Sequence, residues 1–134
     1  MDIKSLMVGD WVYDTHNRQN DRVQEIGSGL VMLNCNDLYE FDEIEPIPLT
    51  KEILEKNGFS HNEIWHNSYV DIENYHIDVQ FGYGGKVDNI RIRENGKDSV
   101  IPSEKTNLYL AYIEYLHELQ HAMKLCGIEK EIEL

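Results

Sequence analysis

A strict alternation of apolar and polar residues runs from Tyr75 to Phe81. Ile77, Val79 and Phe81 fall on one face of an extended chain, because successive side chains of a strand point to opposite faces. Turn-forming glycines within residues 82–85 lead into a second such segment at residues 86–93. Asn95-Gly96 is a hairpin signal before a third segment at residues 99–101. The pattern predicts an antiparallel meander with one polar face.

The first fifty residues predict short strands at Val8 to Asp14, Arg22 to Ile26, Leu30 to Leu33 and Leu38 to Phe41. Segments rich in Asn, Asp, Gly and Ser separate them and are typical of turns. Four or five short strands at this spacing favour a strongly bent sheet or a small SH3-like β-barrel. Pro46 and Pro48 end this region.

A short helix is predicted after these prolines. Thr50 is a suitable N-cap, and Gly58 supplies the left-handed residue that stops a helix. Leu49 and Leu54 occupy the two positions of a hydrophobic staple.

A longer helix is predicted from about Thr106 to Cys126, with Gly127 as its stop. At 100° per residue its apolar positions form one stripe. The stripe consists of Leu108, Ala111, Tyr112, Tyr115, Leu119, Ala122, Met123 and Cys126. We expect it to cover the apolar face of the meander. Residues 131–134 are compatible with a last short strand.

These elements predict a single α+β domain of residues 1–134, a length typical of one domain. Residues 1–48 form the SH3-like β unit in this prediction. Residues 49–134 form the short helix, the antiparallel sheet and the long C-terminal helix that covers it.

Charge narrows the range of partners. Twelve Lys and Arg against 25 Asp and Glu give a net charge of −13, which repels phosphate backbones, so direct nucleic-acid binding is not expected. The chain shows neither a signal peptide nor an apolar run of ~20 residues, which predicts a cytoplasmic protein without a membrane partner. Cys35 and Cys126 are predicted to be reduced and largely buried. One long-range disulfide between them is the alternative.

One motif in the predicted C-terminal helix matches the zinc-binding pattern of metalloproteases. His117-Glu118-Leu119-Gln120-His121 matches His-Glu-x-x-His, in which two imidazoles one helical turn apart bind zinc and the glutamate acts as base. The helical wheel, however, places both histidines opposite the apolar stripe, and Lys124 stands where the extended metalloprotease pattern requires glycine. We therefore predict an exposed polar helix face, with no catalytic, cofactor-binding or metal-binding residue.

Three segments carry a resemblance to a known family. They are Leu6 to Val12, then Ile44 to Thr50 with Leu54 and Asn57-Gly58-Phe59, and finally Tyr115 to Gln120. Together they resemble small proteins of gut anaerobes and their phages, a family with no established activity. In relatives the last motif commonly reads His-Gln-Leu-Gln-Asn. The resemblance therefore implies that Glu118 and His121 complete the protease pattern by accident, and it implies no catalytic residues.

The favoured function is a non-enzymatic accessory or protein-interaction protein of phage or mobile-element origin, which needs no cofactor. Its protein partner is unknown and is expected to dock on the first β unit. One alternative is a zinc-dependent hydrolase that uses His117, Glu118 and His121. The other is an acidic decoy of nucleic acid, suggested by acidic clusters at residues 40–45 and 129–133.

Overall fold

The computed structural model describes residues 6–94 and 107–134. The hairpin signal at Asn95-Gly96, the segment at residues 99–101 and the predicted helix start at Thr106 lie outside the described residues. The elements are β1 (Trp11–Asp14), β2 (Gln19–Ile26), β3 (Leu30–Leu33), β4 (Leu38–Glu40), β5 (Ile44–Pro46), α1 (Lys51–Lys56), β6 (Ser60–Asn62), β7 (Asn67–Ile72), β8 (Tyr75–Phe81), β9 (Val87–Glu94), β10 (Asn107–Ala111) and α2 (Leu116–Leu125).

Backbone contacts divide the chain into two compact units. The first unit comprises Met1–Pro48 and Tyr115–His121, and the second comprises Leu49–Glu114 and Ala122–Leu134. Each contains one antiparallel sheet of five strands. The predicted combination of antiparallel sheets with helices is therefore confirmed.

The sheet of the first unit has the order β4-β3-β2-β1-β5. Alternate residues of its strands, such as Val12, Val31 and Leu33, are buried in an apolar core. Within the described residues no ladder joins the edge strands β4 and β5, so the sheet is open and the predicted barrel is not a closed one. Both edges are only three residues long and offer few backbone groups for a closing ladder.

The sheet of the second unit has the order β10-β9-β8-β7-β6. The meander prediction is confirmed for β8 and β9, where Ile77 faces Ile92 and Val79 faces Ile90, all four of them fully buried. Strands β6 and β7 were not predicted, because their polar sequences show no clear alternation.

Helix α1 follows its predicted local signals. Thr50 Oγ1 accepts a hydrogen bond from the Ile53 amide at 3.3 Å, and Gly58 has the left-handed φ of 89°. Both staple residues, Leu49 and Leu54, are buried.

The long C-terminal helix was predicted wrongly in its first half. Residues 107–111 form β10 and pair with β9, with Leu108 opposite Ile92 and Leu110 opposite Ile90. Leu108 and Leu110, two residues apart, share one face of a strand, whereas the predicted helical stripe included Leu108 but not Leu110. The free edge of β9 supplies backbone partners that no helical wheel can show. The helix ends as expected, with Gly127 at a φ of 75°. The predicted last strand is absent, since residues 131–134 adopt no regular structure.

No helix in the described ranges is long and apolar enough to cross a membrane. Both cysteines are free thiols. Cys35 is exposed, so the burial prediction is wrong for it, because it lies in the turn between β3 and β4. Burial raises the pKa of Cys126.

Candidate functional site

The first histidine of the motif on α2 does not face solvent. His117 is only 3% exposed, and its ring stacks on Tyr115 at a centroid distance of 5.9 Å. Burial lowers the pKa of His117; the charge of Asp10 opposes this effect and His121 adds to it. The prediction of an exposed polar face is thus wrong for His117. Part of the apolar stripe used for that helical wheel belongs to β10 and not to the helix.

The second histidine of the motif pairs with a buried carboxylate of the first unit. His121 Nε2 lies 2.6 Å from Asp10 Oδ2, and the same oxygen accepts a hydrogen bond from the Met7 amide at 2.8 Å. Asp10 is fully buried, and its Oδ1 has no hydrogen-bond partner among the described residues. His121 therefore gives a hydrogen-bond partner to a carboxylate that water does not reach.

The remaining polar residues of the motif also have structural partners. Gln120 accepts from the Trp11 amide at 2.9 Å and donates to the Gly9 carbonyl at 3.1 Å, so its amide group holds the start of β1. Glu118 Oε1 accepts from the Tyr115 amide at 3.1 Å, which caps the first turn of α2. Two clusters of three potential metal ligands occur in the described residues, and neither includes His117 or His121.

A second polar cluster of the first unit surrounds Asp14. This buried carboxylate accepts hydrogen bonds from Tyr39 Oη at 2.7 Å and Asn17 Nδ2 at 2.9 Å, and from the backbone amides of His16 and Asn17. Burial raises the pKa of Asp14. The hydrogen bonds from Tyr39 and Asn17 lower it by more than burial raises it, so the net shift of the pKa is downward. The hydrogen bond to Asp14 raises the pKa of Tyr39 above its usual range. All these groups are satisfied within the fold, which indicates a structural role.

The second unit contains a groove of about 760 Å³. Its walls are formed by the start of α1, the hairpin between β6 and β7, and the glycine-rich turn after β8. The lining residues are Thr50, Lys51, Glu52, His61, Glu63, His66, Phe81, Gly82, Tyr83, Gly84 and Gly85.

The turn between β6 and β7 is held by a side chain of the hairpin itself and by the end of β8. Asn62 Oδ1 accepts from the amides of Ile64 and Trp65 at 2.9 and 3.2 Å, a short polar side chain closing a turn on its own backbone. The Phe81 amide donates to the carbonyl of His66 at 2.9 Å. His66 adopts a φ of 52°, in the left-handed region. These bonds fix the backbone from which Glu63 and His66 project.

Charged and polar groups in the groove are ordered by specific partners. Lys51 Nζ lies 2.8 Å from Glu63 Oε1; this contact lowers the pKa of Glu63 and raises that of Lys51. His61 Nδ1 lies 2.8 Å from Ser68 Oγ, and its ring meets the ring of Phe81 edge-on at 5.9 Å.

Sequence reasoning missed His61, Glu63 and His66 as a group. A signal was present, since the three ligand-type side chains fall within six residues and flank a turn. It carried no weight because strands β6 and β7, which bring the three side chains together, were not predicted. In the structure the ligand atoms of all three lie within 4.8 Å of one another.

Comparison of the chain with models of protein families, with curated proteins and with solved structures finds no match.

Proposed function

We propose that this chain is a non-enzymatic protein-interaction module, and that it binds a basic segment with an apolar anchor in the groove of its second unit. The observation that carries the proposal is the exposed apolar surface at the groove. Tyr83 lines the groove and is fully exposed. Ile64 and Trp65 are 81% and 71% exposed on the turn whose first and last residues line the same groove. Exposed apolar side chains grouped at a concave surface are typical of binding sites.

Charge supports a basic partner. Among the lining residues two glutamates, Glu52 and Glu63, stand against one lysine, Lys51. The chain as a whole carries a net charge of −13, which accelerates the approach of a basic partner and disfavours an acidic one. Tyr and Trp are also the residue types that contribute most to binding energy at protein interfaces.

The first unit remains a second place where a partner is proposed to dock. Its order β4-β3-β2-β1-β5, in which the last strand returns to pair with the first, supports an SH3-like arrangement in open form. The phage or mobile-element origin and the cytoplasmic location stay predictions. Geometry does not favour the zinc-hydrolase alternative, because His117 is buried and His121 and Glu118 hold partners inside the fold. The acidic-decoy alternative rests on the net charge of −13 and on the acidic clusters at residues 40–45 and 129–133.

Photocrosslinking tests the proposed docking groove. A photoreactive phenylalanine analogue replaces Tyr83 in one variant and Tyr109 in a control; both tyrosines are exposed residues of the second unit. We expect a discrete crosslinked partner from position 83 and none from position 109. Trp65→Ala should abolish the crosslink, and rising salt should weaken it because a basic partner is attracted by charge.

Two results would contradict this proposal. One is the same crosslinked species from positions 83 and 109, which indicates non-specific collision. The other is a crosslink at position 83 that neither Trp65→Ala nor salt changes.

A further inference from the structure

We propose that the second unit binds a divalent transition-metal ion, zinc in the first place, through His61 Nε2, Glu63 Oε2 and the imidazole of His66. The ligand atoms of the three residues lie within 4.8 Å of one another, and His61 Nε2 is 4.0 Å from Glu63 Oε2. Ligands of tetrahedral zinc at about 2.0–2.2 Å from the ion lie about 3.3–3.6 Å from each other. The remaining closure of about 1 Å falls on Glu63 and His66, whose exposed side chains change rotamer easily.

His61 is positioned as a metal ligand before any ion arrives. Its side chain is only 7% exposed and packs against Phe81, yet it lines the groove. An Nδ1–H that donates to Ser68 Oγ leaves the lone pair on Nε2, the atom nearer Glu63. Such a hydrogen bond from the second ring nitrogen is what fixes metal-binding histidines in proteins.

Glu63 is oriented in a similar way. Its Oε1 binds Lys51 at 2.8 Å, while its Oε2 faces His61. The carboxylate can therefore keep Lys51 on one oxygen and offer the other oxygen to an ion. Hydrogen-bonded carboxylates of this kind are common around metal sites.

The donor set selects the class of ion. Two imidazole nitrogens and one carboxylate oxygen suit zinc, cobalt and nickel, whereas magnesium and calcium require oxygen ligands. Three protein ligands leave one position of a tetrahedral ion open towards the groove. The inference does not depend on the groove binding a protein, and it is tested with the metal alone.

Zinc titration of the full chain by calorimetry, with the absorption of bound cobalt as a second readout, tests this site. We expect one zinc per chain and a tetrahedral cobalt spectrum. Glu63→Gln and His66→Asn should each lower the affinity by about tenfold or more, and Ser68→Ala by about tenfold through loss of the bond that orients His61. Asparagine is chosen at position 66 because it tolerates the left-handed backbone there.

Two control variants make the result specific. His76→Gln removes a histidine of the same unit that pairs with Asp71, and Asp42→Asn alters the other cluster of potential ligands, formed with Glu40 and Glu43. Neither change should alter zinc binding. The proposal is overturned if zinc binds wild type, Glu63→Gln and His66→Asn with equal affinity, if Asp42→Asn removes the binding, or if millimolar zinc does not bind. Crosslinking of a protein partner in the presence of chelator reports on the proposed function separately.

Discussion

Helix α2 and the β6–β7 hairpin each carry two histidines and one glutamate, and the two regions use them differently. On α2, His117 is buried against Tyr115, Glu118 caps the helix, and His121 holds the buried Asp10. Each of these side chains is engaged inside the first unit. The matching pattern of a metalloprotease is therefore accounted for by packing and hydrogen bonds.

On the hairpin, the contacts orient the side chains without using all of their ligand atoms. Ser68 forms a hydrogen bond with one ring nitrogen of His61, and Lys51 donates to one carboxylate oxygen of Glu63. The other nitrogen and the other oxygen lie 4.0 Å apart in a groove. The spacing of residues along the chain shows only which positions carry side chains that are able to bind a metal ion. Whether such a side chain has a lone pair available for an ion depends on its hydrogen-bond partners in the fold.

The largest expected effect on stability tests whether the residues of the histidine motif on α2 pack into the core. Leu119, at the centre of the motif, is fully buried, so Leu119→Ala should lower the free energy of unfolding by about 2–5 kcal/mol through lost burial and an unfilled cavity. Leu125→Ala is the matched control, the same change on the same helix at a residue 77% exposed, and should cost at most about 0.5 kcal/mol. Urea unfolding of both variants measures the two losses of unfolding free energy. Equal costs would show that α2 does not bury the face assigned to it.

The sequence was sufficient where local signals and tertiary contacts agree. Thr50 and Gly58 mark the start and the end of α1, and the alternation at Ile77, Val79 and Phe81 predicts β8. Both predictions succeed because a helix cap or a strand face needs no information from distant residues. The sequence failed at Leu108 and Ala111, two positions of the predicted helical stripe, where pairing with β9 overrides the helix.

The candidate sites show the same limit. The structural role of His121 depends on Asp10, 111 residues earlier in the chain. The ligand group at His61, Glu63 and His66 depends on a hairpin whose strands the sequence did not predict. The sequence showed the residue types, whereas only the fold shows which atoms meet.

A second test compares two histidine–carboxylate pairs. His121 lies 2.6 Å from Asp10, and His76 lies 2.8 Å from Asp71; the histidine side chains are 21% and 19% exposed. The pairs differ in the carboxylate, since the side chain of Asp10 is fully buried whereas that of Asp71 is 69% exposed. His121→Ala should cost about 1–3 kcal/mol because it leaves a buried carboxylate without this partner. His76→Ala should cost less, about 0–1 kcal/mol, as for exposed ion pairs.

Denaturant unfolding of both histidine variants at pH 7 measures the difference. The double change His121→Ala with Asp10→Asn should recover part of the cost, because the uncompensated charge is then gone. A larger loss in His76→Ala than in His121→Ala would mean that burial of the carboxylate does not set the energy.

The smallest effect concerns two carboxylates whose pKa values are both lowered, for different reasons. Asp14 is buried, and its hydrogen bonds from Tyr39 and Asn17 outweigh the effect of burial, whereas Glu63 is exposed and shifted first by Lys51. A lowered pKa in the folded state stabilises the protein above the unfolded pKa, and this contribution is lost as pH falls through the folded pKa.

Asp14→Asn should therefore cost about 1–2 kcal/mol at pH 7. That difference from wild type should shrink once the pH falls below the ordinary value of 3.8. Glu63→Gln should leave the stability close to that of wild type across the same range, since solvent screens an exposed pair. Urea midpoints of the three proteins at pH 7, 5 and 3 separate the two cases. A cost for Asp14→Asn that stays constant or grows towards pH 3 would show that the charge of Asp14 does not stabilise the first unit.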